Sequence, residues 1–241
     1  MRIRIRTAFA SALKPLTGLL RNGDKKSYEL KYWRAKSIAE GGALKHAHYQ
    51  QFYTNVFGLT QADYEGKSVL DIGCGPRGSL EWADMAPLRV GLDPLALDYV
   101  KLRSTRHQMS YVAAASEDIP FADGQFDIIT SFNSLDHVDD LQKTITEIKR
   151  IAKPEALMLL IVEINHRPTP TEPITLRRGS LELFAPEYTV DKSWACALRP
   201  GKRDIYRSVL EMKEPTSDNE DSILCARMRR NQESGTAQKC A

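Results

Sequence analysis

Ser68-Val69-Leu70-Asp71-Ile72-Gly73-Cys74-Gly75-Pro76-Arg77-Gly78 is the stretch that decides the fold. The residues up to Ile72 read as a short buried strand, the glycines as a tight turn, and the next helix is expected over Ser79–Met85. Residues without Cβ tolerate positive φ and let the backbone approach a ligand closely. Asp71 stands at the carboxyl end of the strand, where it suits a ligand carrying positive charge and hydroxyls better than a pyrophosphate. Spacing alone leaves two readings open, because Gly73, Gly75 and Gly78 also satisfy the G-x-G-x-x-G pattern of a nicotinamide enzyme. A dinucleotide turn aims bare N–H groups at phosphate, and a neighbouring carboxylate would repel it.

Working outward, Arg89–Leu92 reads as a second strand ending at the acid Asp93, and Ser110–Ala114 as a third. Phe126–Phe132 follows an Ala-Asp-Gly-Gln turn and runs into a loop holding Asp136 and His137. A helix is expected over Leu141–Ala152 and a fifth strand over Ala156–Val162. Further helices are expected over Leu95–Arg106, Thr175–Phe184 and Ile205–Leu210, with a terminal antiparallel pair at Val190–Leu198 and Ile223–Arg229. Alternating strands and helices predict parallel strands with crossover helices on both faces. The D-x-G-C-G turn, the later acid Asp93, the run Ile119-Pro-Phe-Ala-Asp-Gly-Gln-Phe-Asp127 and Glu147-Ile-Lys-Arg-Ile-Ala-Lys-Pro154 occur in that order. Together they resemble a class I S-adenosylmethionine-dependent methyltransferase of the small-molecule, quinone-biosynthesis type, closely over Gly66 to Glu163. The resemblance implies an α/β, doubly wound, mostly parallel seven-stranded Rossmann-like sheet.

It also implies a cofactor, S-adenosylmethionine, and the residues around it. Gly73, Cys74 and Gly75 would admit the methionine portion, Asp71 would lie near its ammonium, and Asp93 with Pro94 would take the ribose hydroxyls. Phe132 and Asn133 would complete the cradle. Many relatives carry Asp where this chain has Ala115, so Ser116, Glu117 or Asp118 would have to read adenine. Methyl transfer to a hydroxyl needs a base, and His137 is the expected one, oriented by Asp136 or Asp139; a helix-start histidine bonded to backbone is the plainer reading. Tyr32 and Trp33 from the N-terminal segment, with Asp136, Glu163, His166 and Glu172, are expected around the acceptor. No third ligand stands at metal spacing beside His166 and Glu172, so no metal is expected. The loop after the fourth strand lacks the Asn/Asp-Pro-Pro-aromatic box of resembling amino-methylating enzymes, which favours oxygen over nitrogen as the acceptor atom. A sugar, natural-product or lipid-linked hydroxyl fits best. A nicotinamide-dependent oxidoreductase and a non-catalytic methyltransferase-like scaffold are the alternatives.

Charge divides the chain. Ten of the 34 basic residues lie within the first 36 positions against Asp24 and Glu29, so the net +3 conceals a body of about −5. Such a body is a poor electrostatic match for nucleic acid. Within residues 1–26, a basic leader, Phe9, Leu13, Leu16 and Leu20 share one helical face. That pattern suits a peripheral membrane contact or a targeting peptide, with a packed helix as the plain alternative. Residues 27–58 are expected as a helical cap broken at Gly41-Gly42, residues 59–230 as the catalytic domain, and residues 231–241 as a mobile tail. Four cysteines without metal or disulfide spacing suit a cytoplasmic protein, and no apolar run is long enough to span a bilayer. Oligomeric state is not legible.

Overall fold

The computed structural model describes residues 22–42, 44–102, 106–199 and 204–232. The leader's apolar stripe and most of the C-terminal tail lie outside them. The strands are β1 (Ser68–Ile72), β2 (Leu88–Leu92), β3 (Ser110–Val112), β4 (Phe126–Phe132), β5 (Ala152–Ile164), β6 (Tyr188–Ala197) and β7 (Ser222–Arg230). They form one sheet in the order β3-β2-β1-β4-β5-β7-β6. The first five run parallel, and β7 enters antiparallel between β5 and β6. The expected doubly wound sheet with its terminal antiparallel pair is therefore present.

Alternation along β5 shows how the layers form. Met158, Leu160, Val162 and Ile164 join the core on one face, and Leu159 and Ile161 join the core on the other. The first face is covered by α4 (Leu141–Ile151), whose Ile145, Ile148 and Ile151 recur at helical spacing and whose N-cap Asp140 accepts from Lys143 N at 3.0 Å. The second is covered by the aromatic segment Tyr49 to Tyr64, which includes α2 (Gln50–Tyr53), and by Val209 of α5 (Ile205–Glu211). Phe52, Tyr53 and Phe57 are buried, whereas Tyr28 and Tyr32 of α1 (Asn22–Ala39) are exposed.

Three expected helices need correction. Ser79–Met85 forms successive tight turns, with Glu81 N donating to Gly78 O, Ala83 N to Leu80 O and Ala86 N to Ala83 O, each 3.1 Å. Its side chains explain this: Ser79 is drawn to Asp71, the Glu81 carboxylate accepts from Gln108 N and Met109 N, and Pro87 stops any continuation. The helix expected over Leu95–Arg106 is described only as α3 (Ala96–Val100), with residues 103–105 outside the described set. The one expected over Thr175–Phe184 is a 3-10 run, Arg178–Phe184.

Candidate active site

Parallel strands bring the residues after β1, β2 and β4 to one edge of the sheet. There Gly73 N donates to Leu92 O at 2.8 Å, and Asp93 N to Val112 O at 3.1 Å. Gly73 has φ 70°, and a Cβ on it would lie 2.2 Å from Ser134 Cβ. Ser134 is fixed there because its hydroxyl donates to Ile72 O at 2.8 Å. The first glycine is thus required by the close approach of the post-β4 loop. Cys74 is buried with its Sγ against Gly91, where a Cβ would stand 2.5 Å away.

The two acids differ. Asp71 lies wholly beneath the turn. Its Oδ1 accepts from Thr130 Oγ1 at 2.6 Å, and its Oδ2 from Tyr53 OH at 3.0 Å and from Ser79 Oγ. Burial raises its pKa to about 6 against the lowering effect of those three hydroxyls. Asp71 therefore anchors the turn from below, its oxygens held by protein hydroxyls. Asp93, also buried, is held by backbone amides instead. Its Oδ2 accepts from Gly75 N at 3.2 Å and its Oδ1 from Leu95 N at 2.8 Å. Each oxygen keeps a second lone pair. Burial raises Asp93 to about 6 as well, opposed by the two amides.

The remaining expected cofactor residues divide. Phe132 packs on Tyr53 and Phe57, with ring centroids 4.5 and 5.8 Å away, and so belongs to the core. Asn133 takes a left-handed φ of 52° that turns the chain out of β4. Pro94 is exposed. Ser116 Oγ lies 3.0 Å from Thr144 Oγ1 of α4, and Glu117 Oε1 accepts from Asp139 N at 2.7 Å and Asp140 N at 3.1 Å. The Glu117 carboxylate thus braces the post-β4 loop, which leaves adenine no obvious side-chain reader among Ser116 and Glu117.

Helix α1 crosses this edge. Trp33 sits against the glycine turn, its Cζ2 3.3 Å from where a Gly75 Cβ would be, and edge-on to Tyr99 at 6.5 Å. Trp33 therefore meets the glycine turn, while Tyr32 is 56% exposed. Both ends of α1 are tied down. Lys25 Nζ donates to His137 O and, at 3.0 Å, to Asp139 Oδ1. Just past the helix, Glu40 accepts from Arg77 Nη1 at 2.9 Å and Nη2 at 2.6 Å, which holds the Glu40 carboxyl down at about 2. Tyr53, Ser79, Thr130 and the Arg77–Glu40 pair escaped sequence reasoning. Arg77 offered the one visible signal, a charge inside the glycine turn.

A second polar group lies after β4 and β5. Asn165 (φ 66°) ends β5, and Ile174 N donates to Asp136 O at 3.2 Å, folding the 165–177 loop against the post-β4 turn. That fold-back places Glu172 Oε1 4.0 Å from His137 Nε2, which is 3.9 Å from Asp136 Oδ1. His166 Nε2 stands 3.5 Å from Asp136 Oδ2, and Asp136 raises the His166 pKa to about 9. Asp136, His137, His166 and Glu172 are thus brought together. Glu163 is not among them, because it shares the opposite face of β5 with Ile161.

Residues 70–160 match the family model described as a methyltransferase domain. That segment is similar to methyltransferase domains. Over 114 residues the chain is 31% identical to a tocopherol O-methyltransferase of Arabidopsis thaliana, covering 43% of this chain and 33% of the relative. Over 107 residues it is 33% identical to a demethylmenaquinone methyltransferase of Renibacterium salmoninarum, covering 42% and 43%. The chain thus spans less than half the length of these relatives. The fold is also that of the N-methyltransferase NodS of Bradyrhizobium japonicum, solved with S-adenosyl-L-homocysteine. That likeness has a TM-score of 0.55 at 15% identity and covers 86% of this chain and 99% of the other. The matched segment runs from β1 into β5 and contains Asp71, Asp93, Asp136 and His137. His166 and Glu172 lie beyond it.

Proposed function

We propose that this chain transfers a methyl group from S-adenosylmethionine to an oxygen of a small-molecule acceptor. The observation that carries the reading is Asp93, a carboxylate set by the amides of Gly75 and Leu95 beside a glycine turn. The residues fit the cofactor. Asp93 would hold the ribose hydroxyls with its two remaining lone pairs. The positive-φ backbone at Gly73 and Gly75 would receive the amino-acid portion, and Trp33 would cover it. When bound, S-adenosylmethionine supplies a methyl group already activated by its sulfonium. The chain's own work is alignment, which is worth about 7–11 kcal/mol when geometry is exact. A hydroxyl acceptor must lose a proton. His137 Nε2 would take it, and Asp136 Oδ1, 3.9 Å from that same nitrogen, would stabilise the imidazolium. The relatives named for tocopherol and demethylmenaquinone favour a ring-bearing, membrane-derived acceptor, and the family match favours methyl transfer over the nicotinamide alternative.

Titration calorimetry with S-adenosylmethionine and, separately, NAD tests this directly. One-to-one binding of the first and none of the second is expected, followed by release of S-adenosylhomocysteine when phenolic acceptors are added. Binding of NAD alone would overturn the reading.

A further inference from the structure

Asp136 is the most conspicuous charge in the described residues. Its side chain is 1% exposed, yet neither carboxylate oxygen has a hydrogen-bond partner. The facing Nε2 atoms of His137 and His166 are also buried without one. Buried polar atoms are rarely left so, and a carboxylate least of all. Asp136, His137 and Glu172 each present one donor atom, and the three lie within 4.8 Å of one another. Zinc–oxygen and zinc–nitrogen bonds are about 2.0–2.2 Å long, so two donors at the tetrahedral angle stand about 3.4 Å apart. The His137 Nε2 contacts, 3.9 Å to Asp136 and 4.0 Å to Glu172, are wider than that, so the three side chains would draw together on the ion.

We propose that Asp136, His137 and Glu172 bind one divalent transition-metal cation, with His166 holding the Asp136 carboxylate from behind. Mixed imidazole and carboxylate donors suit zinc or manganese better than magnesium or calcium, which prefer oxygen alone. His166 supplies the outer support that metal carboxylates normally have: its Nδ1 lies 3.0 Å from Arg167 O, so its Nε2 faces Asp136. Three protein donors leave a coordination position for an acceptor oxygen. The inference rests on the O-methylation reading and refines it. With the ion in place, His137 Nε2 is a ligand, and a hydroxyl bound to the cation gives its proton to solvent water before accepting the methyl group.

The full chain, stripped with EDTA, would be titrated with zinc chloride and with manganese chloride, and magnesium chloride would serve as the control. Saturable one-to-one binding of zinc or manganese is expected, with magnesium much weaker. Asp136→Asn should weaken it about 100-fold or more, and Glu172→Gln, at a partly exposed position, roughly 10- to 100-fold. Circular dichroism shows whether each variant is folded; should Asp136→Asn unfold, Glu172→Gln and His137→Ala decide. No saturable binding, or binding unchanged in the folded variants, overturns the site. Titration of the metal-free protein with S-adenosylmethionine separates the two readings. Retained cofactor binding without metal uptake defeats only the cation site, and metal uptake without cofactor binding defeats only the methyl-transfer assignment.

Discussion

Asp93 and Gly73 show how little of a cradle depends on chemistry alone. Asp93→Ala removes two amide acceptors and the proposed ribose contact together. Charged hydrogen bonds contribute about 1.5–3 kcal/mol each, so the dissociation constant for S-adenosylmethionine should rise at least roughly 10- to 100-fold. Unchanged calorimetric affinity would exclude Asp93 from the cofactor site. Gly73→Ala tests packing instead. Its left-handed φ and the 2.2 Å approach to Ser134 Cβ should cost roughly 2–4 kcal/mol in urea unfolding. Adding Ser134→Gly should restore part of that loss, leaving the strain in φ. A double variant no better than the single would show that Ser134 is not the obstacle. From sequence, the position of Asp93 was legible because it directly follows the second apolar strand. The true setting of Asp71 was not. Its three hydroxyl partners come from Tyr53, Ser79 and Thr130, and only the folded sheet brings them together.

Among the elements, α1 carries the clearest prediction. It is moored by Lys25 at one end and by the Arg77–Glu40 pair beyond the other, with Trp33 between. Glu40→Gln should loosen the second mooring. Amide exchange over residues 25–40 should accelerate roughly tenfold or more, while β1 and β4 stay protected. Exchange rates equal to wild type in that segment would mean that the pair contributes nothing to holding the helix. The strands β1 and β4 were readable because each is an apolar run bounded by turn residues. Ser79–Met85 misled, since Leu80, Ala83 and Ala86 have helical spacing and are buried, yet local side-chain bonds pull the backbone into separate turns. The meeting of Asp136 with His166 and Glu172 was also beyond sequence spacing. It arises from the single fold-back in which Ile174 N reaches Asp136 O.

The whole molecule should respond to pH in two opposed ways. Asp71 and Asp93 are raised to about 6 in the folded state. Between about pH 4 and 6 the unfolded chain has released protons that the folded one retains, so stability falls as pH rises through that window and levels above it. Each group contributes about 3 kcal/mol to that fall, at 1.36 kcal/mol per pKa unit. Glu40, depressed to about 2, acts oppositely: its stabilisation is present above about pH 4 and is lost as pH falls toward 2. Urea midpoints for the apo protein should therefore be higher near pH 5 than at pH 7. A flat profile across that range would contradict the burial of the two acids. Cofactor stabilisation should grow over the same interval as Asp93 ionises. At a hundredfold excess over Kd it is worth about 2.7 kcal/mol, or roughly 5–10 °C in melting temperature.

The position of β7 bears on how the protein is made. Strand β6 touches the rest of the sheet only through β7, which follows it in the chain. During translation, residues 188–197 must wait without a neighbour until residues 222–230 leave the ribosome, and β5 keeps an open flank for as long. Stop codons placed between those two stretches should yield nascent chains that clump or are degraded, even though every residue of the proposed cofactor site has already been synthesised.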